Sequence, residues 1–176
     1  MTTLKDLGSR ICIMGPSNSG KSTLAEALSR AQDLEAVYLD QLYHLPHTNW
    51  ISRPADEFAA LHDAAIMGTR WVIEGNYSRL LPQRLKRATG FILLDVSTMT
   101  SLHRYIRRCW FERHRHGALE GGQDSVKWDV IRQIAGATRA NRSRYKKIIG
   151  GIRLPKVQIS SARGLAAFYQ LNNLTR

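Results

Sequence analysis

Residues 15–22 read Gly15-Pro16-Ser17-Asn18-Ser19-Gly20-Lys21-Ser22 and satisfy the pattern G-x-x-x-x-G-K-[ST] at every fixed position. An apolar run, Ile11-Cys12-Ile13-Met14, precedes them, and Leu24, Ala27, Leu28 and Ala31 follow at helical spacing on one face. Strand, small-residue turn and helix in that order commit the chain to an α/β fold. They also commit it to phosphate. Small residues let successive backbone N–H groups turn inward around phosphate oxygens, and a helix starting near Gly20 aims the positive end of its dipole at the same point. Gly15, Pro16, Ser17, Asn18, Ser19, Gly20, Lys21, Ser22 and Thr23 therefore form the expected nucleotide-binding set. Lys21 reaches the β- and γ-phosphates of a nucleoside triphosphate, and Ser22 ligates Mg2+.

At 176 residues and 43% hydrophobic, the chain has the material for one full core, so residues 1–176 are expected to form a single domain. Cys12 and Cys109 have neither metal-ligand nor disulfide-framework spacing, which suits a reducing cytosol. No window approaches the roughly 18 apolar residues of a membrane span, and residues 1–10 lack a signal-peptide core. The expectation is a soluble cytoplasmic protein. Its charge is uneven: residues 1–95 hold ten basic and ten acidic side chains, whereas residues 96–176 hold sixteen and four, so the entire excess of +12 lies there. Such a bias serves a nucleic-acid surface, a cluster closing over polyphosphate, or solvated helix faces, and the phosphate loop favours the second.

Apolar runs alternate with helical segments, the pattern of a parallel sheet. Strands are expected at 11–14, 36–39, 71–74, 91–95 and 157–160. Helices are expected at 21–31, 55–67, 81–88, 100–115, 125–149 with a break near Gly136, and 164–174, with Pro54 opening the second and Ser52 capping it. In an open parallel sheet, ligands sit beyond the carboxyl ends of the strands. That rule gathers the phosphate loop, Asp40, the run Glu74-Gly75-Asn76-Tyr77, and Asp95 on one edge.

These residues resemble the small P-loop kinases related to adenylate kinase, and within them the proteins labelled DNA topology modulation proteins. The resemblance rests on residues 15–22, on Leu39-Asp40 followed by Pro46, Trp50 and Glu57-Phe58, and on Trp71-Val72-Ile73-Glu74-Gly75-Asn76-Tyr77. The strand end Leu94-Asp95 and the arginine helix 104–108 extend it. That subgroup usually has Asp where this chain has Glu74. The resemblance implies a three-layer fold with a five-stranded parallel sheet in the order 2-3-1-4-5, an acceptor-binding helical region at about 41–70, and a helical lid at about 104–145. It implies ATP and Mg2+ as ligands and leaves the acceptor open.

By the same resemblance Glu74 matches the acid that holds Mg2+ through water, Arg104 stacks on or near adenine, Arg108 contacts phosphates, and Arg163, after the last strand, falls where related kinases contact adenine. Asp95 ends a run of the type hhhhD and either joins the metal set or closes a turn. Phosphoryl transfer is mostly positioning and charge neutralisation, so Lys21, Asp40, Arg104 and Arg108 form the candidate catalytic set. A hydroxyl acceptor must lose a proton, for which Asp40 serves; a nucleoside monophosphate needs arginines instead, and Arg53, Arg79 and Arg84 lie where such arginines fall. Tyr43, Trp50 and Tyr77 either stack on an acceptor base or pack in the core. Arg139 and Arg142 share a helix face suited to a lid, while Arg144, Lys146 and Lys147 read as a solvated face. His114 and His116 read as exposed loop residues. The leading expectation is a kinase transferring the γ-phosphate of ATP to a small molecule, a nucleotide or nucleoside foremost. The alternative is a nucleic-acid-binding NTPase that grips the phosphate backbone with residues 96–176; a third is a nucleotide binder without catalysis. Oligomeric state is not readable.

Overall fold

A computed structural model describes residues 3–48, 50–102, 106 and 143–175. Its elements are α1 (Leu4–Leu7), β1 (Arg10–Met14), α2 (Lys21–Gln32), β2 (Glu35–Tyr38), α3 (Leu39–Tyr43), α4 (Ala55–Ile66), β3 (Trp71–Glu74), α5 (Leu81–Arg87), β4 (Gly90–Leu94), β5 (Lys156–Ile159) and α6 (Ala162–Leu171). Residues 98–102 and 143–151 are also helical. The strands form a parallel sheet in the order β2-β3-β1-β4-β5, as expected.

The two-residue strand period explains the layers. Ile11 and Ile13 of β1 join Leu24 and Leu28 of α2, Leu4 and Leu7 of α1 and Phe168 of α6 on one face. Cys12 and Met14 point the other way, toward Trp71, Phe91, Leu39, Ile66, Leu81 and Tyr145. With both faces covered, β1 must be apolar at every buried position, and the run Ile11-Cys12-Ile13-Met14 is. Burial raises the Cys12 thiol to a pKa of about 11, with Arg84 acting weakly in the opposite sense, so Cys12 behaves as a core residue.

Several boundaries differ from the sequence reading, each for a local reason. β2 stops at Tyr38, because Leu39 turns inward against Gly75, where a Cβ would come within 2.8 Å of the Leu39 Cβ. Asp40 consequently lies in the first turn of a short helix instead of a loop. α1 was not anticipated; Thr3 and Asp6 close a capping box around its four residues. Pro54 occupies the N-cap of α4 with no side-chain cap, so Ser52 does not cap; it forms a bridge with His44. β4 ends at Leu94, and the Asp95 N–H continues the ladder by donating to the Ile159 carbonyl at 2.8 Å. α6 starts two residues early because the Ser161 Oγ accepts from the Gly164 N–H at 3.0 Å. Ala31, assigned to the apolar face of α2, is exposed. Among the described residues no helix is long and apolar enough to cross a membrane.

His62 of α4 is fully buried, with Nδ1 3.0 Å from Asp63 Oδ1 and no partner for Nε2 among the described residues. Burial lowers its pKa below the ordinary 6.5, against the opposing pull of Asp63. The unfolded chain therefore takes up a proton below 6.5 that the folded chain refuses. The stability held by neutral His62 is complete above that pH and is lost as the pH falls through the lowered value. Melting His62→Leu alongside wild type between about pH 7.5 and 5.5 tests this: the variant's midpoint falls less over that interval.

Candidate functional site

The loop between β1 and α2 is built for close approach to its backbone. Gly15 has φ 151°, and a Cβ there would lie 2.3 Å from the Leu94 carbonyl oxygen, so any side chain at this position collides with β4. Gly20 caps α2 at φ 97° and Asn18 adopts φ 60°, left-handed positions that turn the chain into the helix, and the Ser19 N–H donates to the Pro16 carbonyl at 3.3 Å within the loop. Lys21 lies across the loop, its Nζ donating to the Pro16 carbonyl at 3.1 Å.

The β3 edge meets this loop at two points. Register pairs Ile13 with Glu74, so the end of β3 stands beside the start of the loop. The Ser22 Oγ donates to Glu74 Oε1 at 2.8 Å, and the Gly15 N–H donates to Asn76 Oδ1 at 3.2 Å. The extra methylene of Glu74 relative to Asp does not prevent that contact. Glu74 and Asp95 are both buried, at the carboxyl ends of β3 and β4. Among the described residues no group of three or more His, Cys, Asp and Glu side chains is placed to hold a metal ion. Mg2+ does not require such a cage, since it keeps several waters and binds through one or two protein groups plus phosphate oxygens. Ser22 with Glu74 fits that requirement.

The β2 edge supplies Asp40. Tyr38 is in register with Glu74, and the residues that follow each strand converge: the Tyr77 hydroxyl donates to Asp40 Oδ1 at 2.7 Å. Strands β2 and β1 are separated only by β3, which puts the ends of these two strands roughly 10 Å apart across the sheet. The Tyr77 ring packs against Tyr43 at 4.9 Å and Phe58 at 5.0 Å, and His44 packs on Trp50 at 5.1 Å. Tyr43, Trp50 and Tyr77 thus each make a ring contact with a neighbouring side chain while remaining half-buried.

Arg84 does not stand in the cleft. It is fully buried beneath the 75–77 turn and donates to three carbonyls: Gly75 through Nη1 at 3.1 Å, and Asn76 and Tyr77 through Nη2 at 3.2 and 3.1 Å. Burial lowers its pKa, opposed by the nearby Cys12 and Glu74. The other two arginines expected on the acceptor side differ: Arg79 is exposed and Arg53 half-buried.

A cavity of about 270 Å3 opens beside the turn, lined by Met14, Asn76, Tyr77, Ser78, Arg144 and Tyr145. Arg144, read in sequence as part of a solvated face, is exposed but reaches the Ser78 hydroxyl through Nη2. Tyr145 is buried beside Asn76; burial raises its pKa to about 12, with its Asn76 hydrogen bond and Arg144 acting against that. Sequence reasoning passed over Tyr145, although its spacing to Ile148, Ile149 and Ile152 marks an apolar helix face. Arg163 is exposed in the first turn of α6, and Thr23 is exposed on α2. Arg104, Arg107, Arg108, Arg139, Arg142, His114 and His116 lie outside the described residues, as does most of the expected lid.

No family model matches the chain, and no curated protein does. Solved structures do resemble it. A gluconokinase from Sinorhizobium meliloti 1021 superimposes with a TM-score of 0.53 at 16% identity, covering 95% of each chain. A shikimate kinase from Acinetobacter baumannii in complex with shikimate gives a TM-score of 0.60 at 12% identity, covering 94% of this chain and 92% of that one. The chain therefore has the α/β fold of these small-molecule kinases.

Proposed function

We propose that the chain is an ATP-dependent phosphotransferase acting on a small-molecule acceptor, with nucleotides and nucleosides the first candidates. The carrying observation is the contact of the loop serine with the strand-end acid, Ser22 Oγ to Glu74 Oε1 at 2.8 Å, at the mouth of a backbone cradle that admits no Cβ at Gly15. A nucleoside triphosphate needs both features together, since the cradle holds the phosphates and the hydroxyl–carboxylate pair stands where their cation belongs. The fold shared with a gluconokinase and a shikimate kinase supports the same reading.

Bound ATP with Mg2+ supplies the transferable phosphoryl group and a cation that spreads its charge. This chain's residues do the rest. Backbone N–H groups of residues 17–22 hold the phosphates, Lys21 leaves the Pro16 carbonyl for them, and Ser22, Glu74 and Asp95 form the metal side. Asp40 and the 75–78 turn face the acceptor and Arg163 stands at the adenine end, while Arg104 and Arg108, outside the described residues, keep the adenine and phosphate roles that the resemblance implies. The narrower likeness to DNA topology modulation proteins rests on the run 71–77 and on the arginine helix. No observation among the described residues favours the nucleic-acid reading.

The test is acceptor-dependent ADP release from ATP and Mg2+, screened over nucleoside monophosphates, nucleosides, sugar acids and small alcohols. At least one class is expected to stimulate release above the rate without acceptor. Silence across the whole screen in a protein that binds ATP would remove the kinase reading.

A further inference from the structure

Tyr77 is tied down from three directions. Its carbonyl accepts from Arg84 Nη2 at 3.1 Å, its ring sits between Tyr43 and Phe58, and its hydroxyl donates to Asp40 Oδ1 at 2.7 Å. Burial first, and the Asp40 carboxylate second, hold the phenol well above the ordinary tyrosine range, so it remains a donor at any working pH. Among the described residues, Asp40 has no cationic partner and Oδ2 accepts no hydrogen bond. One oxygen is therefore fixed and the other available. Arg84, beneath this turn, is buried and committed to three carbonyls, which withdraws it from any phosphate on the acceptor, and the exposed Arg144 is engaged at the Ser78 hydroxyl. An edge with an oriented carboxylate and a sequestered arginine suits an acceptor that gives up a proton better than one that brings a negative charge.

We propose that Tyr77 is a positioning residue for phosphoryl transfer to an uncharged hydroxyl, holding Oδ1 of Asp40 so that Oδ2 receives the acceptor's proton. The acceptor oxygen forms its bond to the γ-phosphorus while the bond to the β,γ-bridging oxygen breaks. The hydroxyl proton passes to Asp40, and the electron pair of the broken bond leaves with ADP. The inference rests on the phosphotransferase reading and narrows its acceptors from nucleotides and nucleosides to hydroxyl compounds.

Tyr77→Phe keeps the ring packing and removes only the hydroxyl. With the best acceptor from a panel of nucleosides, polyols, gluconate, shikimate and nucleoside monophosphates, kcat is expected to fall about tenfold or more. KM for ATP should stay within about a factor of two. KM for the acceptor should change less than kcat, since the hydroxyl acts through Asp40 and not on the bound acceptor. In an Asp40→Asn background the same substitution should cause no further loss, since the pair acts as a unit. If Tyr77→Phe fails to fold, Asp40→Asn alone carries the test, with a fall in kcat at unchanged KM for ATP. Unchanged kcat in Tyr77→Phe would overturn the positioning role while leaving the kinase reading intact. A wild type that accepts only nucleoside monophosphates would overturn the hydroxyl class. No acceptor-dependent ADP release from wild type would overturn the kinase reading and this inference with it.

Discussion

Lys21→Met is expected to lower kcat/KM for phosphoryl transfer by about three orders of magnitude while the protein still folds. The argument is electrostatic. A unit charge 4 Å from the migrating phosphoryl group, at an effective dielectric near 20, is worth about 4 kcal/mol, and each 1.4 kcal/mol is about a tenfold change in rate. Methionine keeps most of the aliphatic stem and removes the ammonium, so packing along α2 is preserved. The stability effect should be small, about 1 kcal/mol or less, because among the described residues the ammonium makes one hydrogen bond, to the Pro16 carbonyl of the loop. Initial rates of ADP release and a thermal melt on the same sample check both halves. A melt that collapses along with the rate would assign the loss to folding instead of charge.

Arg84→Met is expected to do the reverse, unfolding the protein more easily before any chemistry is considered. The guanidinium is fully buried and satisfies the carbonyls of Gly75, Asn76 and Tyr77. Methionine fills much of the volume but leaves the Gly75 and Asn76 carbonyls without the donor they have here, each worth about 1–3 kcal/mol when buried, while the Tyr77 carbonyl keeps the Leu80 N–H at 3.1 Å. Removing a buried cation offsets part of that, for a net loss of about 3 kcal/mol, or about 6–12 °C in midpoint for a chain of this length. Arg84→Lys should recover little, since a single ammonium cannot span three carbonyls in the geometry of a planar fork. Activity should fall further than stability alone explains, because the same turn carries the Asn76 contact to Gly15 and the Tyr77 contact to Asp40. Calorimetric or spectroscopic melts of the two variants beside wild type decide it.

Fixed-position chemistry could be read directly: the loop at 15–22 needs its glycines for backbone reasons that the pattern itself encodes, and the 71–74 strand is continuous apolar sequence ending in an acid. The sheet order came through resemblance, and the structure bears it out. The direction of a side chain was not legible. Arg84 looks, by position, like an arginine for an acceptor, and only packing reveals that it turns beneath the cleft. Asp40 and Tyr77 are 37 residues apart, and their pairing depends on the parallel register of Tyr38 with Glu74, which no local pattern specifies. Tyr145 was hidden for a different reason, being one aromatic residue in a run of basic ones whose charges dominate the reading.

The central claim is that the loop between β1 and α2 holds ATP through its backbone and Lys21, with Ser22 and Glu74 on the cation side. Titration calorimetry of ATP into the wild-type protein, with and without Mg2+, and into Lys21→Met tests it most directly. The expected result is a single saturable site that Mg2+ strengthens and Lys21→Met weakens by about tenfold or more. Absence of saturable binding to a folded wild type, or affinity indifferent to both Mg2+ and Lys21, would contradict it.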